Sequence, residues 1–190
     1  MSDDLYIGPT ALEPGPREPS VSSEHLARLI LLPLTLLFVA IVLVFFVFFQ
    51  PIHIDGPSMM PTLRSADCVL ITRGARDVAR GDVVVLVAND QGIQTELVKR
   101  VIGLAGDVVE IRGDVAYING AREPIRGQVV VSQYATSFSA VTVPAGQIYV
   151  MGDNRAQSED SRYIGTVPLS GVVGRVVAVF APIQRLRFVS

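Results

Sequence analysis

Hydrophobic positions along this chain fall into two regimes. Leu29 to Phe49 is a run of 21 residues, 19 of them apolar and none charged, and it holds five of the eight Phe. As a helix it would reach about 31 Å, matching a hydrocarbon core of about 30 Å. The pattern predicts one transmembrane helix over 29–49, with Pro33 in a first turn that tolerates proline. A cleavable leader has an apolar stretch of only about 7–15 residues before a small-residue site. Phe48-Phe49-Gln50-Pro51 offers no such site, so the helix is expected to be a permanent anchor.

Beyond the anchor no 3.6-residue periodicity is evident. Short β-branched runs recur between turn residues instead: 68–72, 83–87, 97–102, 108–112, 115–118, 128–131, 148–151 and 172–180. They predict a mainly β domain over 50–190. The unbroken run Val83 to Val87 suggests a strand covered on both faces. Asn119-Gly120 is a two-residue hairpin signal, because both residues tolerate positive φ. A small hairpin subdomain is expected around 107–145. Gly152 to Arg162 is polar and patternless, and reads as a loop.

Charge adds an orientation. Residues 1–28 carry five acids and four prolines without apolar periodicity, and are expected to be a disordered tail. Arg17 and Arg28 precede the anchor, whereas the first basic residue after it is Arg64. That bias puts the N-terminus in the cytoplasm and the β domain outside. A net charge of −2 argues against a nucleic-acid surface. The single Cys68 excludes a disulfide framework within the chain, and His25 and His53 are too few for a Cys/His metal site.

Of the 16 basic residues, 15 are Arg and one is Lys99. An Arg keeps its proton in a protein, whereas a desolvated Lys can lose it. Lys99 lies in Glu96-Leu97-Val98-Lys99-Arg100-Val101-Ile102, where a regular strand turns Lys99 inward and Arg100 outward. Ser58 sits between Pro57 and Pro61, with Gly56 before it. Such a constrained serine suits either a nucleophile or a rigid turn. A nucleophilic serine needs a base. His53, five residues away along an extended segment, is placed poorly for that role and reads as an interfacial or packing residue. Cys68 reads as a buried apolar residue at a strand start.

Four segments then carry a resemblance. Ser58-Met59-x-Pro61-Thr62-Leu63 resembles the catalytic serine box of type I signal peptidases, and Gly81-Asp82-Val83-Val84-Val85 their Gly-Asp-apolar box. Lys99-Arg100-Val101-Ile102-Gly103-Leu104-x-Gly106-Asp107 is similar to their lysine box. Gly152-Asp153-Asn154-Arg155-x-x-Ser158-x-Asp160-Ser161-Arg162 resembles the last. The four occur in the family's order behind an N-terminal anchor.

The resemblance implies an antiparallel-sheet, signal-peptidase-type catalytic domain with a Ser58/Lys99 dyad. Ser158 would help orient the lysine, and Asp160 and Arg162 would brace the loop as an ion pair. Asp153 and Asn154 would shape the turn. Gly56 stands where some members have a serine, so a backbone N–H there would form the oxyanion hole with that of Ser58. Leu104-Ala105-Gly106 and Ala156-Gln157 also depart from the usual residues, which leaves local loop geometry open.

The implied function is cleavage of signal peptides from exported preproteins at the bacterial cytoplasmic membrane. The substrate would be an extended segment with Ala-x-Ala at its end, delivered by the secretion translocon and bound by strand addition. The implied partners are signal peptides and the lipid bilayer, with no metal, organic cofactor or nucleic acid. The alternatives are an inactive anchored β binding module and a self-cleaving Ser/Lys protein of the LexA type.

Overall fold

The computed structural model describes residues 23–74, 77–90, 93–124 and 129–189. The chain divides into two compact units, 1–43 and 44–190. The helix α1 spans Ser23–Phe48, and its segment Ala27–Phe48 contains an 18-residue stretch of mean hydropathy 3.1 and is long and apolar enough to cross a bilayer. It begins six residues before the expected 29, because Glu24, Leu26, Ala27 and Arg28 are good helix formers. Pro33 therefore lies inside the helix rather than in its first turn. Nearby, the Thr35 hydroxyl donates to the Leu31 carbonyl at 2.7 Å. Phe49 has already left the helix for a strand. Residues 1–22 of the expected tail lie outside the described residues.

The second unit is built of antiparallel strands. In chain order they are β1 (Phe49–His53), β2 (Cys68–Arg73), β3 (Val83–Asp90), β4 (Ile93–Leu104), β5 (Val108–Arg112) and β6 (Val115–Ile118). There follow β7 (Ala121–Arg122), β8 (Phe138–Thr142), β9 (Gln147–Met151), β10 (Val167–Pro168), β11 (Val172–Ala181) and β12 (Arg187–Phe188). The main sheet runs β1-β2-β11-β3-β4-β9-β10, with β12 added to β11. A second sheet of four strands runs β7-β6-β5-β8. The long runs were legible in pattern, and β5 and β6 match their expected bounds. The short strands β1, β7, β8, β10 and β12 carry too few residues to show a period. Of the expected 128–131 strand, Gln128 lies outside the described residues. Val130 makes only an isolated parallel bridge to Asn154.

Val83 to Leu86 are all at most 2% exposed, as a doubly covered strand requires. Val83 and Val85 join one apolar cluster with Ile54, Met59, Leu63, Val69 and Ile71. Val84 and Leu86 join another with Val101, Ile148, Val150 and Val167. Asn119 and Gly120 make the β6–β7 turn at φ 52° and 82°. Beside Ala105, the Asp107 carboxylate accepts the Leu104 N–H at 2.8 Å and the Asn119 side-chain amide at 3.0 Å.

Candidate active site

Residues 54–67 join β1 to β2 and carry Ser58. The loop closes at its base where Ile54 N–H donates to the Asp67 carbonyl at 2.8 Å and Ala66 N–H to the Ile54 carbonyl at 3.0 Å. Met59 and Leu63 lie one helical turn apart, with Leu63 N–H donating to the Met59 carbonyl at 2.8 Å. Both side chains are buried in the first cluster at 1% and 0% exposure, which pins the turn and leaves the intervening backbone near the surface. Ser58 itself is half-buried.

Lys99 comes from the middle of β4 and is 2% exposed. Its Nζ lies 3.0 Å from Ser58 Oγ, so residues 41 apart in sequence meet as a hydrogen-bonded pair. Burial lowers the Lys99 pKa from its ordinary 10.5, against the carboxylates of Asp160 and Glu159, which favour the ammonium; Arg162 adds to the lowering. Arg100 turns to a different partner, as strand alternation requires, but it does not reach solvent. It is 5% exposed and forks onto Asp153 at 2.8 and 2.7 Å, with a further bond to the Gly81 carbonyl at 2.6 Å. The expectation of an outward Arg100 thus fails, because the second face of β4 is covered as well.

Residues 152–162 supply the remaining side of the site. The Asn154 N–H donates to the Ser58 carbonyl at 2.9 Å, and its side-chain amide to the Pro57 carbonyl at 3.2 Å. A Cβ on Gly152 would stand 2.5 Å from the Ser58 carbonyl oxygen and 2.3 Å from Ser158 Oγ, so only glycine fits between them. Asp160 is fully buried, accepting the Gly152 N–H at 2.9 Å and pairing with Arg162 at 2.8 Å. Asp160 also caps the short helix α2 (Ser161–Ile164). Ser158 is 8% exposed, and its hydroxyl has no hydrogen-bond partner among the described residues, the Lys99 amine included.

Several of these partners carried no local sequence signal. Arg155 forks onto Glu123 at 2.6 and 2.8 Å and donates to the Asp114 and Gly152 carbonyls at 2.6 and 3.0 Å. The Asp114 carboxylate accepts from Arg162 at 3.2 Å and also from Ser132 and Thr136. Two acids from the β5–β6 turn and the end of β7 therefore hold the arginines of residues 152–162. Asn154 does more than shape a turn, since it binds the backbone carbonyls of Pro57 and Ser58.

The expected oxyanion donors differ from each other. The Ser58 N–H meets no acceptor among the described residues, whereas the Gly56 N–H donates to Ser65 Oγ at 3.0 Å. His53 sits opposite Cys68 across β1 and β2, with its Nδ1 3.6 Å from the half-buried Cys68 thiol. Lys99, not His53, is the basic side chain bonded to Ser58.

A family model described as signal peptidase, peptidase S26, matches residues 26–181. A signal peptidase I of Bacillus licheniformis is 35% identical over 151 residues, covering 73% of this chain and 80% of that protein. Signal peptidase I P of Bacillus subtilis subsp. natto is 35% identical over 164 residues, covering 78% and 88%. A signal peptidase I structure from Enterococcus faecalis is 30% identical and covers 52% of this chain and 96% of that one, at a TM-score of 0.42. With residues 26–181 inside the family model and relatives matched along most of their length, the chain belongs to the signal peptidase family, peptidase S26, and is a hydrolase of peptide bonds.

Proposed function

We propose that this protein is a membrane-anchored serine endopeptidase that removes N-terminal signal peptides from exported preproteins by a Ser58/Lys99 dyad. The observation that carries the proposal is the 3.0 Å bond between Ser58 Oγ and the Nζ of a lysine that is 2% exposed. Lys99 in its neutral form takes the Ser58 proton as Oγ attacks the scissile carbonyl. It passes that proton to the leaving amine, which leaves an ester acyl-enzyme on Ser58. It then deprotonates the water that hydrolyses the ester.

The Ser58 N–H, without an acceptor of its own, supplies one donor to the tetrahedral oxyanion. Gly56 N–H supplies the second only by exchanging its bond to Ser65. The unpartnered Ser158 hydroxyl supplies an acceptor for the lysine ammonium when the dyad bond breaks. Asp160 and Arg162 hold the loop and set the field at Lys99.

The substrate is an extended segment with small residues at −1 and −3, an Ala-x-Ala end, handed over by the secretion translocon. The helix α1 spans the cytoplasmic membrane once, with the N-terminus in the cytoplasm and residues 50–190 outside, in keeping with Arg17 and Arg28 preceding it.

The test is cleavage of a preprotein with an Ala-x-Ala site by membranes carrying the wild type, Ser58→Ala, Lys99→Ala or Lys99→Arg. Each variant should lose about 10²–10⁴-fold or more, and the double Ser58→Ala/Lys99→Ala should be no worse than either single change. Lys99→Arg fails because a guanidinium keeps its proton. Activity surviving in Ser58→Ala would discard the dyad. No cleavage of any preprotein by the wild type would favour a binding module.

A further inference from the structure

The Ser58 loop is held at a second place, by the C-terminal segment. Asp67, at the end of the loop, is 1% exposed, and its carboxylate receives Arg185 Nε and Nη2 at 2.7 and 2.8 Å. The same carboxylate accepts the Arg64 N–H at 2.9 Å. Arg185 Nη2 also reaches the Thr62 carbonyl at 3.4 Å, and the Arg187 guanidinium donates to that carbonyl as well. Thr62 belongs to the turn in which Met60 N–H bonds the Pro57 carbonyl at 3.0 Å and Leu63 N–H bonds the Met59 carbonyl. That turn starts at the nucleophile.

The C-terminal segment has the rigidity to act as a support. Residues Ile183–Arg185 form a helical turn, and β12 pairs with β11 with Arg187 opposite Val179 and Phe188 opposite Ala178. Val189 N–H extends the pairing to the Val177 carbonyl at 2.9 Å. A planar guanidinium bonded twice to one carboxylate fixes direction as well as distance, which an ammonium cannot do.

We infer that Arg185 is a positioning residue for the Ser58 nucleophile. Acting through Asp67 and the Thr62 carbonyl, it holds the turn so that Ser58 Oγ stays within bonding distance of Lys99 Nζ. The inference rests on the dyad proposed above.

The experiment compares Arg185→Ala, Arg185→Lys and the paired Asp67→Asn/Arg185→Gln in the full-length chain, reading kcat, KM and the thermal midpoint on one preprotein. Both single variants should lower kcat about 10–100-fold, the effect of displacing a reacting group by about 1 Å, with KM changed by less than about twofold. In the paired variant no buried carboxylate is left without its cation, so the thermal midpoint should return toward wild type while kcat stays low. The lysine and paired variants carry the test if Arg185→Ala does not fold. A kcat within about twofold of wild type in the single variants, or a paired variant that regains kcat along with its stability, overturns the inference. Ser58→Ala measured beside them separates the two claims. If it turns over substrate, the dyad itself fails. If it is inactive while Arg185 variants run at the wild-type rate, only the positioning role fails.

Discussion

Two regions meet at Lys99, and they are held together by opposite chemistry. Behind β3 the side chains of Val84, Leu86, Val101, Ile148, Val150 and Val167 pack without a polar atom among them. Around residues 152–162, Arg155, Arg162, Asp114, Glu123 and Asp160 are buried as well, and every one of them is charged. An apolar core holds by area removed from water and tolerates substitutions of similar volume. A buried ion-pair network holds only while each partner is present, because removing one leaves a charge in a medium that cannot solvate it. The sheet therefore gives stability that is spread over many residues. The loop gives geometry concentrated in a few.

The sharpest way to break the comparison is to remove one arginine from the loop. Arg155→Ala leaves Glu123 without its cation and releases the carbonyls of Asp114 and Gly152. Breaking a buried pair in this way costs about 3–5 kcal/mol. The rate per folded molecule should fall too, because Gly152 and Asn154 border the Ser58 carbonyl. Leu86→Ala in the sheet is the control: a cavity costs about 2–5 kcal/mol. Its rate per folded molecule should be unchanged, since Leu86 packs in the cluster that does not include Met59 or Leu63. Urea unfolding paired with cleavage rates at matched folded fraction checks both. Arg155→Ala at full rate per folded molecule would mean that the loop keeps its geometry without its ion pairs.

A smaller effect sharpens the electrostatic half. Burial lowers the Lys99 pKa, the Asp160 and Glu159 carboxylates raise it, and Arg162 lowers it. The ascending limb of the pH–rate profile should therefore lie below the ordinary lysine value of 10.5. Asp160→Asn removes a charge that favours the ammonium, so the amine loses its proton at lower pH and the limb moves to the acid side. Glu159→Gln should move it the same way while sparing the loop, since Glu159 is exposed. Cleavage rates measured across the alkaline range decide this. A limb moving to higher pH in both variants would show that the field at Lys99 is not set by these carboxylates.

The same contrast explains what could be read from the chain in advance. The length of the apolar run marks the N-terminal helix and β-branching marks the long strands, because both patterns are written locally. Flanking prolines mark Ser58, and the isolation of one amine among arginines marks Lys99, as candidates, while the roles proposed for them come from the resemblance. Glu123 and Asp114 could not be found that way. An acid near a hairpin looks like a solvated turn until the fold brings Arg155 and Arg162 to it across 32 and 48 residues. Arg100 was misplaced for a related reason. Strand alternation correctly gave it a different direction from Lys99, but alternation does not say that Asp153 waits there.

The least perturbing change tests whether place or chemistry decides the worth of these pairs. Arg112 and Glu110 make a forked pair as Arg155 and Glu123 do, here through Nε and Nη2 at 2.9 and 2.7 Å rather than through the two Nη atoms. The difference is exposure: the side chains of Arg112 and Glu110 are 56% and 35% exposed, against 1% and 6% for Arg155 and Glu123. In water the carboxylate and the guanidinium exchange one good solvent for another when they pair, and screening removes most of the attraction. Part of the Arg112 contact is with the Tyr117 ring, 4.6 Å from its guanidinium carbon, and that too stays wet. Arg112→Ala should therefore leave both the thermal midpoint and the cleavage rate indistinguishable from wild type, at low and at high salt. A midpoint that fell as it does in Arg155→Ala would mean that forked geometry alone stabilises this fold, and the distinction between its dry and wet ion pairs would have to be given up.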